Sequence, residues 1–292
     1  MNKGRLMKNK ILKAAYIFFA ASLLFAKGRN ITKPKTVVAL SKSVAEMWLL
    51  AGGTVSGTTD DGLELKGAEN AASIGGLTTS SVEAIISLNP DLVILTQDIP
   101  LHKKIFSNLK TLGINTYVAD VKNFSDYEKV MKDFTLMTGR SDLYKTSVLD
   151  VKEKIKEVAA SVNAADTTKN KPTYLFLRVS STKNKVLKNH FGNEIFSDLG
   201  LKPIVEDDSS LDEIGMEAIV ASDPDYIFVV QQGKQKNAEQ AFYKAYESNP
   251  AWKNLSAVKK GRVFILPKEL FNYKPNARWA EAYEYVNNLL RQ

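Results

Sequence analysis

The chain carries one sixteen-residue pattern twice. Residues 80–95 read SSVEAIISLNPDLVIL and residues 214–229 read IGMEAIVASDPDYIFV, an offset of 134. Glu83/Glu217, Ala84/Ala218, Ile85/Ile219, Pro90/Pro224 and Asp91/Asp225 are identical pairs. Each copy predicts a short helix, a Pro-Asp turn and a buried strand, because proline stops the helix and an apolar run follows directly. Two copies of one unit predict two similar lobes with a cleft between them, and clefts of that kind take ligands.

The remaining pattern agrees. Apolar, β-branched runs at 36–40, 92–96, 114–118, 173–177, 226–230 and 262–266 alternate with amphipathic stretches. Such runs read as parallel strands buried on both faces, so the predicted class is α/β. The longest helical pattern is 141–165, with Leu143, Val148, Val151, Ile155 and Val158 at helical spacing; a polar stretch, 166–172, ends it. The predicted organisation is an N-terminal lobe over 27–140, a connecting helix over 141–165 and a C-terminal lobe over 166–292.

Residues 1–26 stand apart. Lys3, Arg5, Lys8, Lys10 and Lys13 precede an apolar run, 14–26, that is too short for a comfortable membrane span. A basic segment followed by a short apolar one is the pattern of a signal peptide. The chain's net charge of +8 comes from 40 bases and 32 acids, and without this segment 35 bases face 32 acids. The excess charge is therefore mostly an export signal, which argues against a nucleic-acid partner. Cysteine is absent, which removes disulfides, thiolate metal sites and cysteine nucleophiles. It also removes the residue a lipid anchor needs, since Lys27 follows Leu24-Phe25-Ala26. The expected location is outside the cytoplasmic membrane, in the periplasm or on the membrane's outer face, without a lipid anchor.

A search for enzyme signatures finds no G-x-S-x-G, P-loop, G-x-G-x-x-G or H-E-x-x-H. The expectation is a binding protein and not an enzyme, with an exported hydrolase as the alternative from another class.

Several segments in order carry a family resemblance: VVALSKSVAEMWLLAGG (37–53), IGGLTTSSVEAIISLNPDLVIL (74–95), LKTLGINTYVAD (109–120), TYLFLRVSS (173–181), IFSDLGLKP (195–203), IGMEAIVASDPDYIFVV (214–230), NPAWKNLSAVKKGRVFIL (249–266) and NARWAEAYEYVNNLL (276–290). In this order the chain resembles the substrate-binding proteins of bacterial ABC importers for iron complexes and cobalamin. The resemblance implies two α/β lobes bridged by one rigid helix, with little hinge motion. It also implies a monomer that docks on a membrane permease through one Glu per lobe, here Glu83 and Glu217. Glu83 has a competing reading, since Ser80-Ser81-Val82-Glu83 fits a helix capping box. The implied ligand is a ferric siderophore or haem, with cobalamin as alternative, and no resident cofactor or metal.

Candidate ligand contacts follow from charge placed after strand ends. The loop 178–190 carries Arg178, Lys183, Lys185 and Lys188 without an acid; Lys234 and Lys236 follow another strand, and Lys103 and Lys104 a third. Most lysines in such loops are simply solvated, whereas Arg178 lies nearest its strand and resembles a cleft arginine of siderophore binders. Ser41, Lys42 and Ser43 follow the first strand. Lys66 and Asn70 are candidates for the cleft rim, and Tyr273 for a contact from the loop before the last helix. His102 and His190, the only histidines, fall after strands in different lobes. They are expected either to face each other across the cleft as haem ligands or, as the simpler alternative, to sit exposed in loops.

Overall fold

All six apolar runs form strands, and the short strands between them were not visible in the sequence. A computed structural model describes residues 33–163, 171–180, 184–205, 214–233 and 235–292. The export segment at 1–26, Lys183, Lys234 and residues 164–165 lie outside the described residues. Pro34–Gln292 form one compact unit, and it holds two sheets.

The first sheet contains β1 (Val37–Ala39), β2 (Gly57–Thr58), β3 (Ala72–Ser73), β4 (Leu92–Leu95) and β5 (Thr116–Val118) in the order β3-β2-β1-β4-β5. Every pairing in it is parallel. The second contains β6 (Thr173–Val179), β7 (Asn184–Val186), β8 (Lys202–Pro203), β9 (Tyr226–Gln231) and β10 (Val263–Ile265), ordered β10-β9-β6-β7 with β8 also beside β6. Its pairings are parallel except β6–β7. β7 is the basic stretch expected to be loop. Gly57–Thr58, Ala72–Ser73, Asn184–Val186 and Lys202–Pro203 are two or three residues long with no apolar run around them, too little to reveal a period, which is why β2, β3, β7 and β8 were missed.

Alternate residues explain the continuous apolar runs. Val37, Ala39, Leu92 and Ile94 point into one core with Tyr174, Phe176, Tyr226 and Phe228 of the other sheet. Val38, Leu40, Val93 and Leu95 fill a second cluster behind the first sheet, and Leu175, Leu177, Ile227 and Val229 a third behind the second. Both faces of both sheets are covered, as parallel strands require.

The helices that position the cleft are α1 (Lys42–Leu50), α2 (Val82–Ser87), α3 (Pro100–Thr111), α4 (Phe124–Thr138), α5 (Asp150–Asn163), α6 (Gly192–Asp198), α7 (Met216–Ser222) and α8 (Trp279–Leu290). The connecting helix is not one uniform helix. Asp142–Tyr144 leads into a π-helical turn, Lys145–Leu149, and then α5. The wide turn buries Ser147 and Val148, and the Ser147 carbonyl accepts from the Tyr127 hydroxyl at 3.0 Å. The shared core runs through Trp279, whose ring meets Phe124 of the first lobe at 5.6 Å and Phe191 of the second at 5.4 Å. Burying three large rings between the lobes favours a stiff connection over a hinge.

The repeat is preserved down to side chains. α2 and α7 start at equivalent positions, and Asn89 and Asp223, also equivalent, have left-handed backbones (φ 47° and 37°) just before each proline. Asn and Asp tolerate that conformation better than other L-residues. The Asp91 carboxylate accepts from the amides of Lys35 and Thr36, both at 2.9 Å. Asp225 accepts from the amide and hydroxyl of Thr173 at 2.9 and 3.1 Å. In each lobe the repeat's aspartate thus fastens the start of a central strand.

Candidate functional site

A cleft of about 740 Å³ opens where the strands of both sheets end. Ser41, Lys42 and Ser43 reach it after β1, Asp61 after β2, Leu77 and Thr78 after β3, Thr96 and Asp98 after β4, and Ala119 after β5. The second lobe contributes Arg178, Lys185, Lys188, His190, Phe191 and Gln232, together with Asn272, Tyr273 and Lys274 from the turn before α8. Ligand sites in open α/β sheets lie at such strand ends because the connecting loops converge there. Five bases line the cleft against two acids, Asp61 and Asp98.

Arg178 stands at the centre of the second lobe's wall. Its backbone sits between Val230 of β9 and Lys185 of β7. Burial pulls its guanidinium below the ordinary arginine value, and its Nε is buried with no hydrogen-bond partner among the described residues. A desolvated cation with an unused donor is costly alone and suited to an anionic acceptor.

Lys274 enters the same cleft from the turn before α8. Its ammonium donates to the Val121 carbonyl, lies 4.0 Å from Asp98 and sits 5.3 Å from the centre of the Phe191 ring. Burial lowers its pKa, Asp98 opposes that shift and Arg178 adds to it. The sequence reading passed over this residue for its neighbour Tyr273; the signal available was its place in the same loop. Tyr273 does line the cleft, where Lys42 and Lys268 approach its ring at 5.3 and 5.4 Å. Lys42 is already bound to Glu64 at 2.7 Å. Partial burial opposes its charge, but the hydrogen bond and charge of Glu64 prevail and hold its pKa above the usual lysine value.

The histidines correct both expectations, since neither is an exposed loop residue and they do not form a pair across the cleft. His102 is on α3, fully buried, with Nδ1 3.2 Å from the Thr96 carbonyl, and is not among the cleft-lining residues. Pro100 starts a helix where the sequence suggested a loop, and this turns His102 inward. His190 lines the cleft, but its Nδ1 accepts from the Gly192 amide at 3.1 Å and its ring packs 4.1 Å from that of Phe191. Burial, reinforced by Lys274 and Arg178, holds its pKa well below the usual histidine value, so the ring is neutral.

Lys103 also rides on α3, exposed and away from the cleft. Lys66 is exposed in the turn after the 3-10 helix Asp60–Glu64 and does not line the cleft either. Lys185 and Lys188 do line it. Among the described residues no group of three His, Asp or Glu is arranged to hold a metal ion.

Glu83 and Glu217 occupy the same position in the first turns of α2 and α7, and both are exposed. The capping-box reading of Glu83 is not realised. Ser81 is the cap, accepting from the Ala84 amide at 3.1 Å, while the Ser80 hydroxyl donates to the Gly76 carbonyl at 2.9 Å. Glu83 instead accepts from the Ser81 hydroxyl at 2.9 Å. Its own amide and the Ser81 hydroxyl lower its pKa, so it is charged at neutral pH.

Residues 37–270 match the family model described as periplasmic binding protein. The chain belongs to that family. Among relatives of this periplasmic binding protein, the Fe(3+)-citrate-binding protein YfmC of Bacillus subtilis is 29% identical over 240 residues, covering 79% of this chain and 72% of the relative. The fold matches that of Staphylococcus aureus IsdE complexed with heme at a TM-score of 0.73, 17% identity, and 88% and 99% coverage of the two chains. It matches the vitamin B12 binding protein BtuF of Vibrio cholerae at 0.72, 19% identity, and 89% and 98% coverage. Both structures carry the two-lobed architecture found here, which is the sense in which this periplasmic binding protein resembles them. Family members are binding proteins and not enzymes. No described helix is long and apolar enough to cross a membrane.

Proposed function

We propose that this protein captures an anionic ferric complex in the cleft and delivers it to the permease of an ABC importer outside the cytoplasmic membrane. The observation that carries the ligand class is Arg178, a half-desolvated guanidinium with an unused donor, backed by Lys185, Lys188 and Lys274. Cations around a cleft bind a chelated metal by the carboxylate or phenolate oxygens at its rim, and do not ligate a bare ion. The similarity to an Fe(3+)-citrate-binding protein supports the same class. Haem fits less well, because the Nδ1 of His190, the one histidine lining the cleft, accepts from the Gly192 amide, which leaves the ring proton on Nε2, the nitrogen an iron would need.

Glu83 and Glu217 dock the permease in this reading. They are exposed, charged carboxylates fixed at equivalent points of two rigid lobes, which suits them to guanidinium groups on a partner. One polypeptide supplies both docking points and both walls of the cleft, so the protein acts as a monomer.

The test is retention. Purified protein is mixed with ferric citrate, a carboxylate siderophore, a catecholate siderophore, haem or cobalamin, freed of unbound ligand, and its visible spectrum recorded. A retained ferric citrate or siderophore spectrum is expected, recoverable unchanged on denaturation. A retained cobalamin or haem spectrum without any iron-chelate binding overturns the ligand class.

A further inference from the structure

The two repeat helices share a feature that their glutamates do not explain. Ile85 and Ile219 are fully buried and anchor α2 and α7 to the outer clusters of their lobes. One residue later, Ile86 and Val220 are 38% and 41% exposed. They are the one pair of exposed large hydrophobics, among the described residues, that falls at equivalent repeat positions. Each lies three residues after its glutamate, so carboxylate and aliphatic side chain share a helix face.

We propose that Ile86 and Val220 are the apolar halves of two matching docking points, each seating in a socket beside a cation of the permease. The inference rests on the docking reading of Glu83 and Glu217. An ion pair left in water contributes little to binding. An aliphatic group beside it that excludes water strengthens the pair and adds its own buried area. The charge identifies the occupant. A second copy of this chain meeting these faces would set Glu against Glu, and an anionic membrane surface would repel both lobes. A protein with guanidinium or ammonium groups flanking two apolar sockets fits both.

The chain has no cysteine, so a single photo-cross-linker can be placed beside each face through Ser87→Cys or Ser222→Cys. The full chain is titrated onto right-side-out membrane vesicles from source cells lacking it, and the cross-linked membrane protein is identified by mass. Both positions are expected to capture an ABC permease. The pair Ile86→Ser with Val220→Ser is expected to weaken that capture about tenfold at both low and high salt, with ferric citrate retention and urea midpoint unchanged. The pair Glu83→Gln with Glu217→Gln is expected to weaken it mainly at low salt. If the glutamate pair weakens capture and the aliphatic pair does not, the apolar inference is wrong and the docking reading stands. If neither pair matters, or no permease is captured, the docking reading fails and takes this inference with it.

Discussion

The Lys274 amide donates to the Ser43 hydroxyl at 3.1 Å, joining the turn before α8 to the first turn of α1, 231 residues away. Two residues on, the Asn276 side chain donates to the Ser43 carbonyl at 3.0 Å and to Glu46 at 2.6 Å. The turn before α8 is therefore a strap from the second lobe onto α1 of the first. It also carries Tyr273 and Lys274 into the cleft. Binding groups and lobe-to-lobe fastening are the same short segment.

Asn276 is fully buried, with a left-handed backbone at φ 52°. Asn276→Ala removes both bonds, one of them charge-assisted, and adds strain, at a cost of about 3 kcal/mol. Asn276→Gly relieves the strain and is expected to fall between alanine and wild type. Urea unfolding measures both; an alanine variant as stable as wild type would show that the strap does not join the lobes.

Asp91 predicts a pH effect with a definite sign. The amides of Thr36 and Lys35 hold its carboxyl below the ordinary aspartate value. A depressed carboxyl contributes stability above its unfolded pKa of about 3.9, and that stability is lost as the pH falls through the folded value. Asp91→Asn is thus expected to lower the urea midpoint at pH 7 and to begin converging with wild type only as the pH falls below about 4. A gap that stays constant from pH 7 to pH 3 would remove Asp91 from this role.

How much of this was legible beforehand depended on the length of the signal. The six strands within apolar runs, the duplicated helix-turn-strand unit and the paired glutamates rest on local patterns, and sequence carries those well. Gly57–Thr58 and Ala72–Ser73 have no period to read, because their neighbours and not their composition make them strands. Arg178 was legible because it lies at the end of a long buried strand. Lys274 was not, since its burial is set by Asp98, Val121 and Phe191, which only the tertiary fold brings to it. His102 misled for a related reason: Pro100 begins a helix, and the helix decides which way the ring turns.

His190 predicts a second pH effect. Its folded pKa is well below its ordinary value, chiefly through burial. The unfolded chain binds a proton near pH 6.5 that the folded ring refuses, so stability falls as the pH drops from about 6.5. His102, also lowered by burial, acts in the same direction. His190→Gln is expected to reduce the stability lost between pH 7.5 and pH 5. In wild type the His190 ring-proton shift should stay flat over that range. A titration midpoint near 6.5 would contradict the buried, neutral ring.

Arg178 separates binding from stability. Its desolvated guanidinium costs the empty protein free energy that a bound anion offsets. Arg178→Met, similar in length and apolar, is expected to raise the stability of the ligand-free protein by about 1 kcal/mol. The same change is expected to weaken retention of ferric citrate or a carboxylate siderophore at least tenfold, since a charge-assisted contact is lost. Arg178→Lys keeps the charge but not the planar fork, and should fall between the two in retention. Urea midpoints and ligand titrations on the same three proteins decide the point. If methionine lowers stability and leaves retention intact, Arg178 belongs to the scaffold of the second sheet, and the cleft takes its ligand through the lysines alone.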